Sequence, residues 1–218
     1  ELRADLGSGH NVVSTVFIEC ASMYREDGPV EMRPVGETEF VNGVAAMSAS
    51  GLYGPTRVAA AIIGFADLML GDGVAAVLEA HIGAGGGRFR GIRHAASWDA
   101  SPDVRNSHTK PFQHMLADET FRAGFARLAP LNMSFEGWCY HQQIPEMTDL
   151  ARSFPDTTII LNHFGGPLGI GPYVGKREEY LPQWKRDIAE LATCPNVVAK
   201  LGGVNMRTNG YDWDKRDK

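Results

Sequence analysis

At 218 residues, 44% hydrophobic and 22% charged with no low-complexity tract, the chain has the composition of a globular protein with one sizeable core. A formal charge of −5 argues against a nucleic-acid binder, which carries a basic face, and no run approaches the roughly 18–20 apolar residues of a membrane span. Cys20, Cys139 and Cys194 are an odd number at wide spacing and no signal-peptide pattern opens the chain, so they read as reduced core thiols of a cytoplasmic protein. The expected partner is a small-molecule substrate, with neither nucleic acid nor membrane, and a homo-oligomer is left open.

Strand-like and helix-like runs alternate along the chain. Asn11–Cys20 is β-branched and apolar, as a buried parallel strand should be, and Glu37–Ala49 follows as a helix. Arg57–Gly64 is the second strand, and Gly73–Ile82 the second helix, with Val74, Val77, Leu78 and His81 at helical spacing. The Gly85-Gly86-Gly87 run reads as a helix-to-strand connection. Phe89–Ser97 is the third strand; a long loop through Pro102 and Pro111 leads to a helix near Asp118–Leu128. Asn132–Tyr140 and Ile144–Phe154 form the fourth strand and its helix, Thr157–Phe164 and Leu181–Ala192 the fifth, and Asn196–Leu201 is the sixth strand.

Six such repeats predict an α/β fold with a parallel sheet in a single domain over residues 1–218. An open doubly wound sheet announces itself with a Gly-rich phosphate turn after its first strand, whereas this first strand ends in Glu19-Cys20-Ala21-Ser22. In a (β/α)8 TIM barrel, polar residues gather where the strands end, at the active-site face. Here the strands close on Glu19, Asp67, Arg93-His94, Tyr140-His141-Gln142, Asn162-His163 and Lys200. Alternation along a strand places Arg93 on the inward face with Gly91, and His163 inward with Ile159 and Leu161; it turns His141 outward unless the strand has already ended.

Buried charge at such points is costly unless paired or liganded. Arg93 is read either as a salt-bridge partner of Glu19 or as a fork for a substrate carboxylate, and Lys200 as a charge partner or a carbonyl-polarising group. His163 lies in Asn-His-Phe-Gly-Gly-Pro, where glycines permit a sharp turn and Pro167 stiffens the exit, the setting of an oriented ligand or acid/base. His10, His81, His108 and His114 are expected to be solvated or half-buried. Tyr24-Arg25 is expected either over the strand ends or on a surface loop.

The segments Thr15-Val16-Phe17-Ile18-Glu19-Cys20, Phe89-Arg90-Gly91-Ile92-Arg93-His94, Glu136-Gly137-Trp138, His141-Gln142-Gln143 and Ile160-Leu161-Asn162-His163-Phe164-Gly165-Gly166-Pro167 resemble the amidohydrolase-related family of TIM-barrel hydrolases. The likeness is to the branch that holds 2-pyrone-4,6-dicarboxylate hydrolase and the sugar lactonases. It implies a hydrolase that opens a lactone or similar ester-like ring of a carboxylated or sugar-acid substrate. Carried over residue by residue, it implies that His163 is catalytic, binding the metal where present or polarising the carbonyl, that Arg93 holds the substrate's negative charge, and that Tyr140 and His141 contact substrate; Glu19 and Lys200 are expected to contact substrate from their places at the strand ends. It further implies a divalent ion, zinc first, in the full-length protein, with metal-free members as the alternative. The family's His-x-His pair and terminal Asp have no counterpart here, so the chain is expected to be a fragment, barrel strands 2 to 7, inactive alone. A non-catalytic carboxylate or sugar-acid binder and a metal-dependent decarboxylase are the alternative readings.

Overall fold

The computed structural model describes residues 2–211; Glu1 and most of the charged tail lie outside the described residues. The chain forms two compact units, the first running to Arg93 and the second beginning at His94. The fold is the βα repeat of a TIM-type barrel, with six strands among the described residues.

In the first unit a short helix, α1 (Leu2–Leu6), precedes β1 (Ser14–Ile18), α2 (Val35–Ala49), β2 (Arg57–Gly64), α3 (Val74–Ala84) and β3 (Phe89–Arg93). The strands pair in parallel, Phe17 with Ile62 and Ile63 with Gly91. The bounds of β2 coincide with the expected ones, because its apolar run is bracketed by turn residues. Ile62 and Ile63 in β2, Ile92 in β3, and Val41, Val77 and Leu78 from the helices make up the buried core. Gly86 and Gly87 take positive φ between α3 and β3, as a helix-to-strand connection requires.

The second unit contains α4 (Glu119–Phe125), β4 (Ser134–Gly137), α5 (Ile144–Ser153), β5 (Ile159–Leu161), α6 (Arg177–Leu191) and β6 (Val197–Ala199). Its strands are also parallel, Gly137 pairing Leu161 and Leu161 pairing Ala199. The Asp118 carboxylate caps α4 by accepting from Thr120 N at 2.8 Å and Phe121 N at 3.1 Å. Phe125 packs edge-on to Phe135 with ring centroids 5.1 Å apart, beside the buried Phe121. The last helix begins at Arg177, ahead of the expected Leu181, and runs through Pro182. Val16 in β1 and Val198 in β6 are more than half exposed. Among the described residues no helix is long and apolar enough to cross a membrane.

Two expectations are corrected. Cys20 is exposed, not a core thiol; its strand ends at Ile18, and the backbone turns outward with Ala21 at positive φ. Cys139 and Cys194 are buried, and burial pushes the Cys139 thiol up to about 12. His81 is fully buried, not solvated. Its Nε2–H donates to the Phe65 carbonyl at 2.9 Å, its Nδ1 accepts from the Thr38 hydroxyl at 2.8 Å, and its ring stacks on Phe89.

Burial lowers the His81 pKa from 6.5 to about 4. The unfolded chain therefore binds a proton that the folded one refuses between those values, so this contribution to stability is complete above pH 6.5 and is lost as pH falls towards 4. The difference amounts to at most about 3 kcal/mol. The urea midpoint is expected to fall between pH 7 and 4.5, and to fall less in His81→Gln. An identical fall in that variant would assign the acid sensitivity to other groups.

Candidate functional site

In the second unit, polar groups converge where β4, β5 and β6 end. Glu136 on β4 is 2% exposed, and its Oε2 accepts from Asn162 Nδ2 at 2.9 Å and from Lys200 Nζ at 2.5 Å. Asn162 Nδ2 also donates to the Ile160 carbonyl at 3.0 Å, which fixes its amide. A carboxylate with two donors on one oxygen can be buried because the ammonium neutralises it and the amide adds a second bond. Lys200 stays one-third exposed, with further N–H donors turned to its surroundings.

His163 follows directly. The expected route, alternation along β5 with Ile159 and Leu161, is corrected: β5 ends at Leu161 and His163 lies in the turn beyond it. Its φ is +51°, and Phe164, Gly165 and Gly166 continue in the left-handed region. Two non-glycine residues there cost about 1–2 kcal/mol each, a strain retained where surroundings over-determine the conformation, as functional sites often do. Those surroundings are visible. Trp184 Nε1 donates to the Phe164 carbonyl at 3.0 Å, and His141 N donates to the Gly166 carbonyl at 3.2 Å. Trp138 meets the His163 ring edge-on at 4.9 Å. Gly203, after β6, packs so closely that an added Cβ would lie 2.5 Å from His163 Cγ. A cavity of about 480 Å³ opens beside this turn, lined by Phe164 and Leu201–Asn205.

Tyr140 and His141 are buried in the same unit and hydrogen-bonded within it. The Tyr140 hydroxyl donates to the Arg105 carbonyl, and His141 Nδ1 accepts from Leu168 N at 3.3 Å. Burial lowers the His141 pKa, and Tyr173 and Tyr180 pack against its ring. These contacts brace the turns after β4 and β5. Tyr173 donates to Asp99 Oδ2 at 2.6 Å, where Gln142 also donates at 2.8 Å.

The first unit holds the other expected pair. Arg93 Nε donates to Glu19 Oε1 at 2.7 Å and Nη2 donates to the Glu19 carbonyl at 2.5 Å. The salt-bridge reading of Arg93 is realised. Arg25 lies at the surface, paired with Glu39, and Tyr24 is half-buried.

Sequence reasoning gave no role to three residues. Gln143 is buried and ties Trp98 N and Tyr140 N to its Oε1 at 3.0 Å, and its Nε2 to the Ala96 carbonyl at 2.7 Å. Asn209 donates to the Gly203 and Val204 carbonyls at 2.8 and 3.1 Å, pinning the loop that lies on His163. Glu37 gathers Cys20 N and Ser22 N on one oxygen at 3.1 and 2.8 Å. An acid in the first turn of a helix is commonplace, which hides Glu37 in the sequence.

A zinc centre needs about four converging N, S or O ligands. Among the described residues no three His, Cys, Asp or Glu side chains come together to hold a metal ion, so these residues alone do not fit one. His163 would be one ligand of such a set.

A family model described as Amidohydrolase matches residues 55–217. The Sinorhizobium fredii protein y4mH is 31% identical over 180 residues, 83% of this chain and 53% of its own length. The L-fucono-1,5-lactonase of Burkholderia multivorans is 26% identical over 66% of this chain and 44% of its own length. A Burkholderia multivorans amidohydrolase crystallised with bound zinc superposes with a TM-score of 0.55 at 26% identity, covering 77% of this chain and 50% of that one. The chain thus spans about half the length of the curated relatives it matches. Carried by the family match over three-quarters of its length and by the parallel βα repeats, the chain belongs to the amidohydrolase family.

Proposed function

We propose that the protein opens a lactone, or a similar ester-like ring of a carboxylated or sugar-acid substrate, by hydrolysis. The observation that carries the reading is His163, held in a strained left-handed turn at the end of β5 in a chain of the amidohydrolase family. The likeness to L-fucono-1,5-lactonase supports a lactone as the ring.

In this chemistry the oxygen of water bonds to the carbonyl carbon, and the ring C–O bond breaks with its electron pair going to the ring oxygen. That oxygen takes a proton and the other product group is a carboxylate. His163, half-buried with a fixed ring, serves as the group that moves the proton or polarises the carbonyl. The Lys200 ammonium, anchored by Glu136, stands ready as a preorganised donor to developing negative charge at oxygen. Because Asn162 fixes the Glu136 carboxylate and that carboxylate holds the ammonium, little reorganisation is needed during reaction.

The test is acid release from an aldono-1,5-lactone by the native protein, followed with a pH indicator at near-neutral pH. Saturable release well above the spontaneous rate is expected. Release no faster than background across a panel of five- and six-membered lactones would overturn the assignment.

A further inference from the structure

The first unit carries a groove at the end of its strands opposite to Glu19 and Gly64, where β2 opens at Arg57. Two adjoining cavities, of about 170 Å³ and 320 Å³, make it up. Both are lined by Arg3 and Leu6 of α1 and by Tyr53 and Thr56 of the turn before β2.

The smaller cavity is walled by carbon. Val44 and Met47 of α2 and Val58 of β2 face it, with Leu6 and Tyr53. The Ser48 and Thr56 hydroxyls in this wall are already used by the protein. Ser48 donates to the Thr56 carbonyl at 2.9 Å and accepts from Val58 N at 3.0 Å, and Thr56 donates to the Val12 carbonyl at 2.8 Å. A wall with its polar groups satisfied holds water poorly, and a dry apolar cavity of about 150 Å³ accepts a benzene-sized body.

The larger cavity is polar, with His10 and Asn11 in its lining, and Arg3 stands where the two meet. Arg3 is exposed, and Asp5, two positions along α1, projects from another side of the helix. Its guanidinium has a fork of N–H donors suited to a carboxylate. Leu2, Met47 and Tyr53 are each about half exposed around the mouth, apolar surface that a bound ring would cover. An exposed arginine holds a bare anion weakly, and an uncharged ring leaves the guanidinium unused. A ring that carries a carboxylate uses both halves of the groove.

We propose that this groove is a binding site for a small aryl carboxylic acid, its ring between α1 and α2 and its carboxylate on Arg3. The site is built wholly from the first unit, and the inference is independent of the ring-opening reading.

The test is calorimetric titration of the native protein with phenylacetate, benzyl alcohol and acetate, with the Met47 methyl resonance followed by NMR. Phenylacetate is expected to bind with a Kd of about 1 mM or tighter and to shift that resonance. Benzyl alcohol, which keeps the ring and lacks the charge, should bind about fivefold more weakly, and acetate not measurably. Arg3→Met is expected to weaken phenylacetate about fivefold and to leave benzyl alcohol within about twofold. Val44→Trp, which fills the smaller cavity, should abolish binding of both; Met47→Trp takes its place if that variant does not fold. Phenylacetate binding that the cavity-filling variant leaves unchanged, or no binding at about 10 mM, would overturn the proposal. A native dimer that Val44→Trp dissociates, with no response to phenylacetate, would also overturn it and assign the groove to a second copy of the chain.

Discussion

Replacing His163 with Asn is expected to slow lactone opening by at least about 10²-fold, the usual scale for an acid/base or electrostatic group. Asparagine suits the test because it tolerates φ > 0 better than most residues, so the +51° backbone of His163 survives the change. It retains a polar side chain of moderate size beside Trp138 and Gly203. What it removes is the imidazole, with its capacity to carry a proton near neutral pH. The measurement is kcat and KM for an aldonolactone, with the urea midpoint recorded alongside. A large fall in kcat at unchanged stability supports the role; a rate near that of wild type would return His163 to a packing role.

A second large effect is expected at Gly203. Its φ is +74°, so any side chain there is strained by about 1–2 kcal/mol, and a Cβ would overlap the His163 ring. Gly175 provides the control, since its φ is +73° and a Cβ would have nothing within 4 Å. Gly175→Ala should therefore show the backbone strain alone, with activity retained. Gly203→Ala should cost a further ~1–3 kcal/mol from overpacking. It should also lower kcat by about 10²-fold, because moving a reacting group by about 1 Å costs that much. Thermal melts and initial rates of the two variants separate these outcomes. Equal stability losses with equal activities would show that the Gly203 contact does not position His163.

The sequence makes the elements legible because apolar runs and turn residues coincide with them. Arg57–Gly64 is bounded correctly at both ends, and all six strands fall within their expected segments. The strand ends are less legible. The segments expected as strands run past the paired residues into turns, so alternation fails at His141 and His163. The constrained turn at His163 is nonetheless legible, because Gly165, Gly166 and Pro167 mark it whichever way the strand counts.

Pairings were partly accessible. The Arg93–Glu19 pair follows from two opposite charges at the ends of β1 and β3, whereas Glu136 as the partner of Lys200 needs register, which no short sequence pattern encodes. His81 misled because a histidine on a helix is solvated as readily as buried; only the Phe65 carbonyl and Thr38 hydroxyl, distant in sequence, decide it. Asn209 carries no signal of its own, since its value lies in two backbone carbonyls earlier in the same segment after β6.

The central claim is water-driven opening of a lactone, and its most direct test is the fate of the water oxygen. Ring opening of an aldono-1,5-lactone by the native protein is run in water enriched in oxygen-18, and the product is analysed by mass spectrometry. One labelled oxygen in the carboxylate and none in the released hydroxyl is the expected result, formed faster than background and at least about 10²-fold more slowly with His163→Asn. Label in the hydroxyl instead, or no product above background with the wild type, would contradict the account.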